Sequence, residues 1–409
     1  MREMKDSGIE WIGEVPNDWR IVRNKNAFVC NKELVGEKSE LTQLLSLTTR
    51  GIKKKDINNA EGKLPESFDT YQFVKENDIV MCLFDLDCSA VFSGISPFDG
   101  MISPAYRVLS CKECMEPRYA DYWFRYISNG RKFNHYAKNI RYTLSYEEFS
   151  TLPLLLPKKS EQRRIADYLD CKCSQIDAII ARQQEVIKKL KAYKLSRINE
   201  IVVEVEGITA HLGYVSNMKN GLNFNVVPDG KTLKFLGVGD FKDHYVLDSE
   251  EMFSDILIDD EIDSDYMLQS GDIIFVRSNG SKELVGRAVM VENVTFPLSY
   301  SGFCIRFRNL KTDILKSKYL LYFFRSPYFR KQLEKYSQGS NITNINQVLL
   351  SQISIIIPPM EVQDEAIRRV EKLLEAINKL IKGKQEIVSA LERYKKSLIY
   401  EVVTGKKEV

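Results

Sequence analysis

The sequence has no long hydrophobic run. Its longest apolar stretches, such as LPLLLP at 152–157, are strand-length, far short of the roughly 18–20 residues that cross a bilayer as a helix. The N-terminal MREMKDSGIEW lacks the apolar core of a signal peptide. Together these set the expectation of a cytoplasmic protein with no membrane partner. Histidine is scarce: His135, His211 and His244 are the whole complement. Their spacing suits neither a triad nor a metal, so each reads as a surface or core residue. An excess of one charge is missing too, since 59 Lys and Arg face 56 Asp and Glu for a net charge of +3. The whole-chain field therefore announces no polyanion, and only the local placement of charge can argue for one.

Catalytic signatures are equally thin. No glycine-rich loop follows a strand as a dinucleotide or adenosylmethionine site requires. Gly230-Lys231-Thr232 has the end of a phosphate loop, but Asn225 stands where its first glycine is needed. Pro228-Asp229 followed by Asp240-Phe241-Lys242 matches the loose pattern of a metal-dependent nuclease, in which two carboxylates hold Mg²⁺ and a lysine orients water. The first half has no equivalent at LLSLTTRGIKKKD, so no metal and no catalytic residue are assigned. The eight cysteines read as reduced thiols. Cys111 and Cys114 have zinc-knuckle spacing and Cys82 and Cys88 could add two ligands. That second spacing is not a usual pair, and packed or surface thiols are the better reading.

What the chain does have is itself, twice. Shifted by 201 residues, 152–203 aligns with 353–404 without a gap. Identities run through Pro157/Pro358, Gln162/Gln363, Ile176/Ile377, Gln184/Gln385, Leu190/Leu391, Tyr193/Tyr394 and Glu200/Glu401. Upstream, YQFVKENDIVM (71–81) resembles YMLQSGDIIF (266–275), each a turn before a buried strand. YADYWFRY (119–126) lines up with YLLYFFRS (319–326), an aromatic helix in each half. A period this long means two copies of one unit, each a mixed α/β globule of about 150 residues followed by a long helix. The expected fold class is α+β with an internal two-fold repeat.

In each helix apolar residues recur at 4-3 spacing, an a/d seam of the coiled-coil kind. The first runs Ile165, Leu169, Lys172, Ile176, Ile179, Gln183, Val186, Leu190, Tyr193, and the second keeps the same register to Tyr394. Gln183 and Lys384 are the matching polar positions. Pro157 and Pro358-Pro359 mark the helix starts. A helix of about 40 residues is on the order of 60 Å long. Two such helices most simply pair antiparallel and hold two globules apart. Further apolar positions, Ile180, Ile187, Ile381 and Val388 among them, widen the stripe beyond a two-helix seam. They either dock extra helices, from a partner or a second copy, or pack on the chain's own globules. The seam and docking set is Ile176, Ile180, Ile187, Leu190 and Tyr193 with Ile377, Ile381, Val388, Leu391 and Tyr394.

Polar loops at matching points of the halves are the candidate DNA contacts. One pair is Lys138, Asn139, Arg141 and Tyr142 against Gln338, Ser340, Asn341 and Asn344. Two others are the basic turn Arg50, Lys53, Lys54, Lys55 and the strand-end loop Arg277, Ser278, Asn279, Ser281, Lys282. Lysine and arginine suit phosphates or guanine, and asparagine and glutamine suit the adenine edge. An ordinary solvated loop is the alternative for each.

These residues resemble a known family. SGIEWIGEVPNDW, NDIVMCLFDLD with GMISPAYRV, LPLLLPKKSEQRRIADYLD, YSQGSNITNINQVLLSQISIIIPPMEVQ and ERYKKSLIYEVVTGK together look like the specificity subunits of Type I restriction-modification systems. The resemblance spans essentially the whole chain. It implies target-recognition domains at 1–156 and 207–357 and helical regions at 157–206 and 358–409. It further implies a non-catalytic subunit that reads a bipartite double-stranded DNA site. Two methyltransferase subunits and restriction subunits would be its partners, and adenosylmethionine, ATP and Mg²⁺ would belong to them. Self-association through the helices is left open. One departure is that EVQDEAIRRV keeps the glutamine but not the preceding acid of Glu161-Gln162.

Overall fold

The computed structural model describes residues 2–49, 51–56, 65–86, 92–137, 142–224, 227, 229–259, 261–281, 283–336 and 343–409. The chain divides into two compact units, Met1–Gln183 with Glu386–Val409, and Gln184–Gln385. Each is a mixed α/β body. Each takes one end from both long helices, which run Lys159–Val203 and Met360–Val403.

The core of each unit is a sheet of consecutive antiparallel neighbours. In unit 1 the order is Phe28–Asn31, Arg107–Cys111, Ile79–Met81, Ser93–Ile95. In unit 2 it is Ser216–Asn220, Cys304–Asn309, Ile273–Val276, Ala288–Val291, with Val246–Leu247 added in parallel at the edge. The strands Ile79–Met81 and Ile273–Val276 are apolar and buried at every position because both faces are covered. Alternate residues go opposite ways. Ile273 and Phe275 join the cluster containing the aromatic helix Ser317–Phe324, while Ile274 and Val276 join a second cluster with Leu236, Phe253 and Tyr300. Unit 1 does the same with Ile79 and Met81 on the helix side and Val80 on the other.

Entry into each central strand is set by one aspartate. Asp78 accepts from the Lys75 amide at 2.9 Å and Asp272 from the Gln269 amide at 2.8 Å. The residue before each sits at positive φ, Asn77 at 69° and Gly271 at 91°, a conformation that asparagine and glycine tolerate best. The turn-then-strand reading of both segments holds.

A buried glutamine joins each aromatic helix to its long helix. Gln162 accepts from the Glu116 amide at 2.8 Å and donates to the carbonyls of Cys114 and Pro157 at 2.9 Å. Gln363 accepts from the Lys316 amide at 2.9 Å and donates to Ile314 and Pro358 at 2.8 Å. Both side chains are fully buried. Just upstream, the apolar strands Pro153–Leu156 and Ser354–Ile357 pair antiparallel with Arg20–Arg23 and Ile208–His211.

The seam expected on the long helices needs correction. Ile176, Ile180, Ile377 and Ile381 are buried, and Ile187, Leu190, Val388 and Leu391 are half-buried. Tyr193 and Tyr394, placed in the seam by the heptad reading, are both 54% exposed. Lys172, Ile179, Leu380 and Ile387 of the same register are exposed as well. Their C-terminal neighbours Cys173, Ile180 and Ile381 are buried instead, and Lys194 and Lys395 are half-buried. The cause is the helix period. A 3.5-residue repeat drifts about 20° per heptad against a straight helix of 3.6 residues per turn, so the buried line moves on by one residue.

Replacing Gln162 by leucine strands one amide and two carbonyls in the interior. At about 1–3 kcal/mol for each unmet buried group, partly relieved by relaxation, Gln162→Leu should destabilise the chain by about 3 kcal/mol in urea unfolding. Gln363→Leu should cost a similar amount, whereas Val362→Ala, at a 39% exposed position, should cost well under 1 kcal/mol.

Candidate nucleic-acid interface

In unit 2 the central strand ends at Arg277, and four segments meet there. The Arg277 amide donates to the Phe303 carbonyl at 2.8 Å, and its Nη1 donates to Gly302 O at 3.2 Å. Its own carbonyl accepts from the Ile345 amide at 2.9 Å, and Ser278 forms an antiparallel bridge with Asn344. Two regions proposed separately from sequence, the Arg277 loop and the Asn344 segment, are thus neighbours. The loop is shaped by Asn279, whose Oδ1 accepts from the Ser281 amide at 2.8 Å.

The turn at 301–303 is fastened from the other side. Gly302 donates its amide to Leu222 O at 2.8 Å, and a Cβ on Gly302 would lie 2.4 Å from Asn223 Oδ1. At Gly221 a Cβ would meet Ser301 O at 2.3 Å. Both glycines allow two backbones to approach where a side chain would not fit. The turn leaves Phe303 58% exposed beside Arg277. Sequence reasoning missed Phe303, because nothing in YSGFCIRF separates it from the buried aromatics nearby.

Unit 1 repeats the attachment with other residues. The Leu144 amide donates to Leu83 O at 2.8 Å, and the Leu86 amide to Tyr142 O at 3.2 Å. Tyr142 is 38% exposed with φ of 45°. Lys53, Lys54 and Lys55 lie on or beside a hairpin of Leu45–Thr48 and Gly51–Lys54. Its apolar side packs on Val80, Ile102 and Val108. Lys53 is exposed, and the Lys54 ammonium sits 4.8 Å from the Phe98 ring centroid, a weak cation–π contact. Arg50, Lys138, Asn139, Arg141, Lys282, Gln338, Ser340 and Asn341 lie outside the described residues.

The other chemistry weighed from sequence finds local employment. Asp240 caps a short turn, accepting from the Gly237 amide at 2.8 Å and from Ser254 Oγ at 3.3 Å. Lys231 and Thr232 belong to a strand, Lys231–Leu236, rather than to a phosphate loop. Among the described residues no group of three or more His, Cys, Asp or Glu is placed to hold a metal. Burial pushes the Cys111 thiol up to about 12, while Cys114 is exposed.

Residues 233–390 match the family model for the Type I restriction modification DNA specificity domain. The StySPI specificity subunit of Salmonella potsdam, a Type I restriction enzyme component, is 26% identical over 276 residues, 63% of this chain and 58% of that protein. The match thus spans little more than half the length of that relative, and the EcoKI specificity subunit of Escherichia coli is covered to the same 58%. The MjaVIII specificity subunit of Methanocaldococcus jannaschii is 25% identical over 434 residues, covering 96% of this chain and 93% of that one. A chain solved in work on complex assembly and conformational transition of the type I R-M system shares the fold, with a TM-score of 0.72 at 16% identity over 96% of this chain and 99% of its own. The chain therefore shares the fold of that solved chain along almost its whole length. Its DNA specificity domain and these relatives make the chain similar to Type I restriction enzyme specificity subunits. The resemblance seen in the motifs holds. Among the described residues no helix is long and apolar enough to cross a membrane.

Thiol reactivity offers a check on the site's surroundings. In native protein near pH 8, a maleimide should label the exposed Cys114 and Cys171 quickly. Cys111 and Cys304, both pushed up to about 12 by burial, should react only after denaturation, because the thiolate is the nucleophile. Peptide mapping of the labelled sites gives the answer.

Proposed function

We propose that this chain is the DNA sequence-specificity subunit of a Type I restriction-modification complex and is non-catalytic by itself. Each globule reads one half of a bipartite double-stranded target. The two halves of the chain are copies of one design in the four segments 1–156, 157–206, 207–357 and 358–409. The long helices pair antiparallel as a coiled coil, set the gap between half-sites and dock two methyltransferase subunits. Restriction subunits join that assembly, and the partners supply adenosylmethionine, ATP and Mg²⁺.

The convergence of Arg277, Ser278 and Asn344 with an exposed Phe303 on one strand end carries the reading. A cation, an amide and an apolar ring within one loop cluster provide the three means by which a major groove is read: guanine, the adenine edge and the thymine methyl. In unit 1, Tyr142 at the corresponding strand end and Lys53–Lys55 on the hairpin fill the same office. Antiparallel pairing is supported within each unit. The Lys395 ammonium lies 2.6 Å from Asp177, and Lys194 donates to Asn378 at 3.3 Å; the two pairs are repeat equivalents. The exposed Ile179, Leu380, Ile387 and Tyr394 offer the docking face, since apolar side chains gathered on an exposed helix surface mark a partner site.

Adenine-methylation mapping in cells carrying this subunit with its methyltransferase should return one split motif of fixed gap. Removing one heptad from both helices should change the gap, and an unchanged gap would refute the spacer role. Arg277→Gln should weaken binding by about 1–3 kcal/mol at one base position of one half-site, with only a small fall in melting temperature from the lost bond to Gly302 O. Equal weakening on every sequence would instead mark Arg277 as a phosphate contact.

A further inference from the structure

The two units differ in charge at one matched place. In unit 1 an open cleft of about 910 Å³ is lined by Phe92, Asp121, Arg125, Asp177, Glu392 and Lys395, among others. Two of its cations, Arg125 and Lys395, are neutralised locally. Arg125 lies 2.7 Å from the buried Asp121, and Lys395 lies 2.6 Å from Asp177.

Unit 2 keeps the equivalent cations, Arg325 and Lys194, but not their carboxylates. Leu321 stands for Asp121 and Asn378 for Asp177. The strand register, with Met81 opposite Ser93 and Phe275 opposite Ala288, makes Arg287 the counterpart of the apolar Phe92. Each of these three replacements adds one positive charge. Lys191 also replaces Glu392, while Leu195 replaces Lys396 in the other direction.

These cations gather around one ring. The Arg325 guanidinium is 4.2 Å from the Tyr245 centroid and Lys194 is 5.9 Å from it. Backbone carbonyls hold the arginines in place: Arg325 donates to Ala288 O at 3.1 Å and Arg287 to Lys242 O at 2.6 Å. The carboxylate facing the group among the described residues is Asp243, 97% exposed and 3.5 Å from Arg287. Burial, and then Arg325, holds the Lys194 ammonium below the ordinary lysine value. Like charges gathered in a half-buried site repel unless an anion joins them.

We propose that Lys194, Arg287 and Arg325, with Tyr245 as their platform, bind a backbone phosphate of DNA in unit 2, and that the self-neutralised counterpart in unit 1 binds none. The inference rests on the reading of the chain as a DNA-recognition subunit. Arginines oriented by fixed carbonyls present their remaining N–H donors to a phosphate oxygen, and a half-buried lysine strengthens the field there.

The test uses the full-length chain and a short fluorescent duplex of arbitrary sequence, titrated by anisotropy over a range of salt. Lys194→Gln should reduce the slope of log affinity against log salt by about 0.9, one phosphate's worth of released counterion. Asn378→Asp, which restores the carboxylate of unit 1 at an exposed position, should do the same without removing a cation. Lys395→Gln, the unit 1 counterpart, should leave the slope unchanged. Melting temperatures confirm that each variant is folded. Unchanged slopes for both unit 2 variants, with wild type still binding, would overturn the phosphate site and leave the DNA-recognition reading intact. An equal loss for Lys395→Gln would overturn the asymmetry. Saturable binding of inorganic phosphate by ³¹P NMR, with no effect of the variants on DNA, would make the cluster a small-anion site and refute the DNA assignment. Failure of wild type to bind any duplex would overturn both readings.

Discussion

Each unit depends on a fully buried glutamine at the start of a long helix. Gln162 and Gln363 bond three backbone groups apiece, drawn from the turn before the aromatic helix and from the proline that ends the preceding strand. The chain reverses between strand and helix, so these groups have no partner in regular structure. Leaving them unmet inside the protein would cost more than most single core substitutions. An amide with one acceptor and two donors is the side chain that satisfies all three. The direction in which each long helix leaves its globule follows from this clamp, and the loops proposed for DNA contact are carried on the sheet packed behind it.

The clamp also explains the one departure in the helix-start motif. Glu161 precedes the glutamine in unit 1 and bonds Arg2 and the Trp19 indole, at 3.1 Å to the latter. Those residues belong to the N-terminal segment, which is packed within unit 1 beside the chain's end: a Cβ on Gly405 would lie 2.4 Å from Pro16. The matching position in unit 2 is Val362, which is 39% exposed. Only the glutamine is required by the clamp; the glutamate answers a neighbour that one unit has.

The long helices, the aromatic helices and the turn-strand units were all legible from residue order, because each rests on a local pattern. The fine position of the helix seam was not. Tyr193 and Tyr394 satisfy a heptad count and yet lie outside the buried line, since a count at 3.5 accumulates error over a helix of 45 residues. The candidate site was legible in part. Arg277 and Asn344 were each visible as polar loop residues, but their adjacency is a product of the Ser278–Asn344 bridge, a tertiary pairing across 66 residues, and has no local signal. Phe303 carries the opposite lesson: in a sequence rich in buried aromatics, an exposed one is recognised only once its turn is seen.

Charge gives the last step. The net charge of +3 suggested no polyanion partner, and that figure conceals a difference between two equivalent places. Unit 1 surrounds its arginine and lysine with aspartates, and unit 2 replaces these with leucine and asparagine and adds Arg287. At the Asp177/Asn378 pair neither helix periodicity nor core volume requires the change, because both are exposed, whereas Asp121 and Leu321 are both buried and that replacement also serves the core of unit 2. Two copies of one design can keep their packing while diverging in electrostatics, since packing is fixed by the buried residues and charge is free to vary at the rim. On the proposed reading, two similarly shaped units would hold the two halves of a split target with unequal phosphate contacts at matched positions, which set position on the duplex, while sequence is left to the loops.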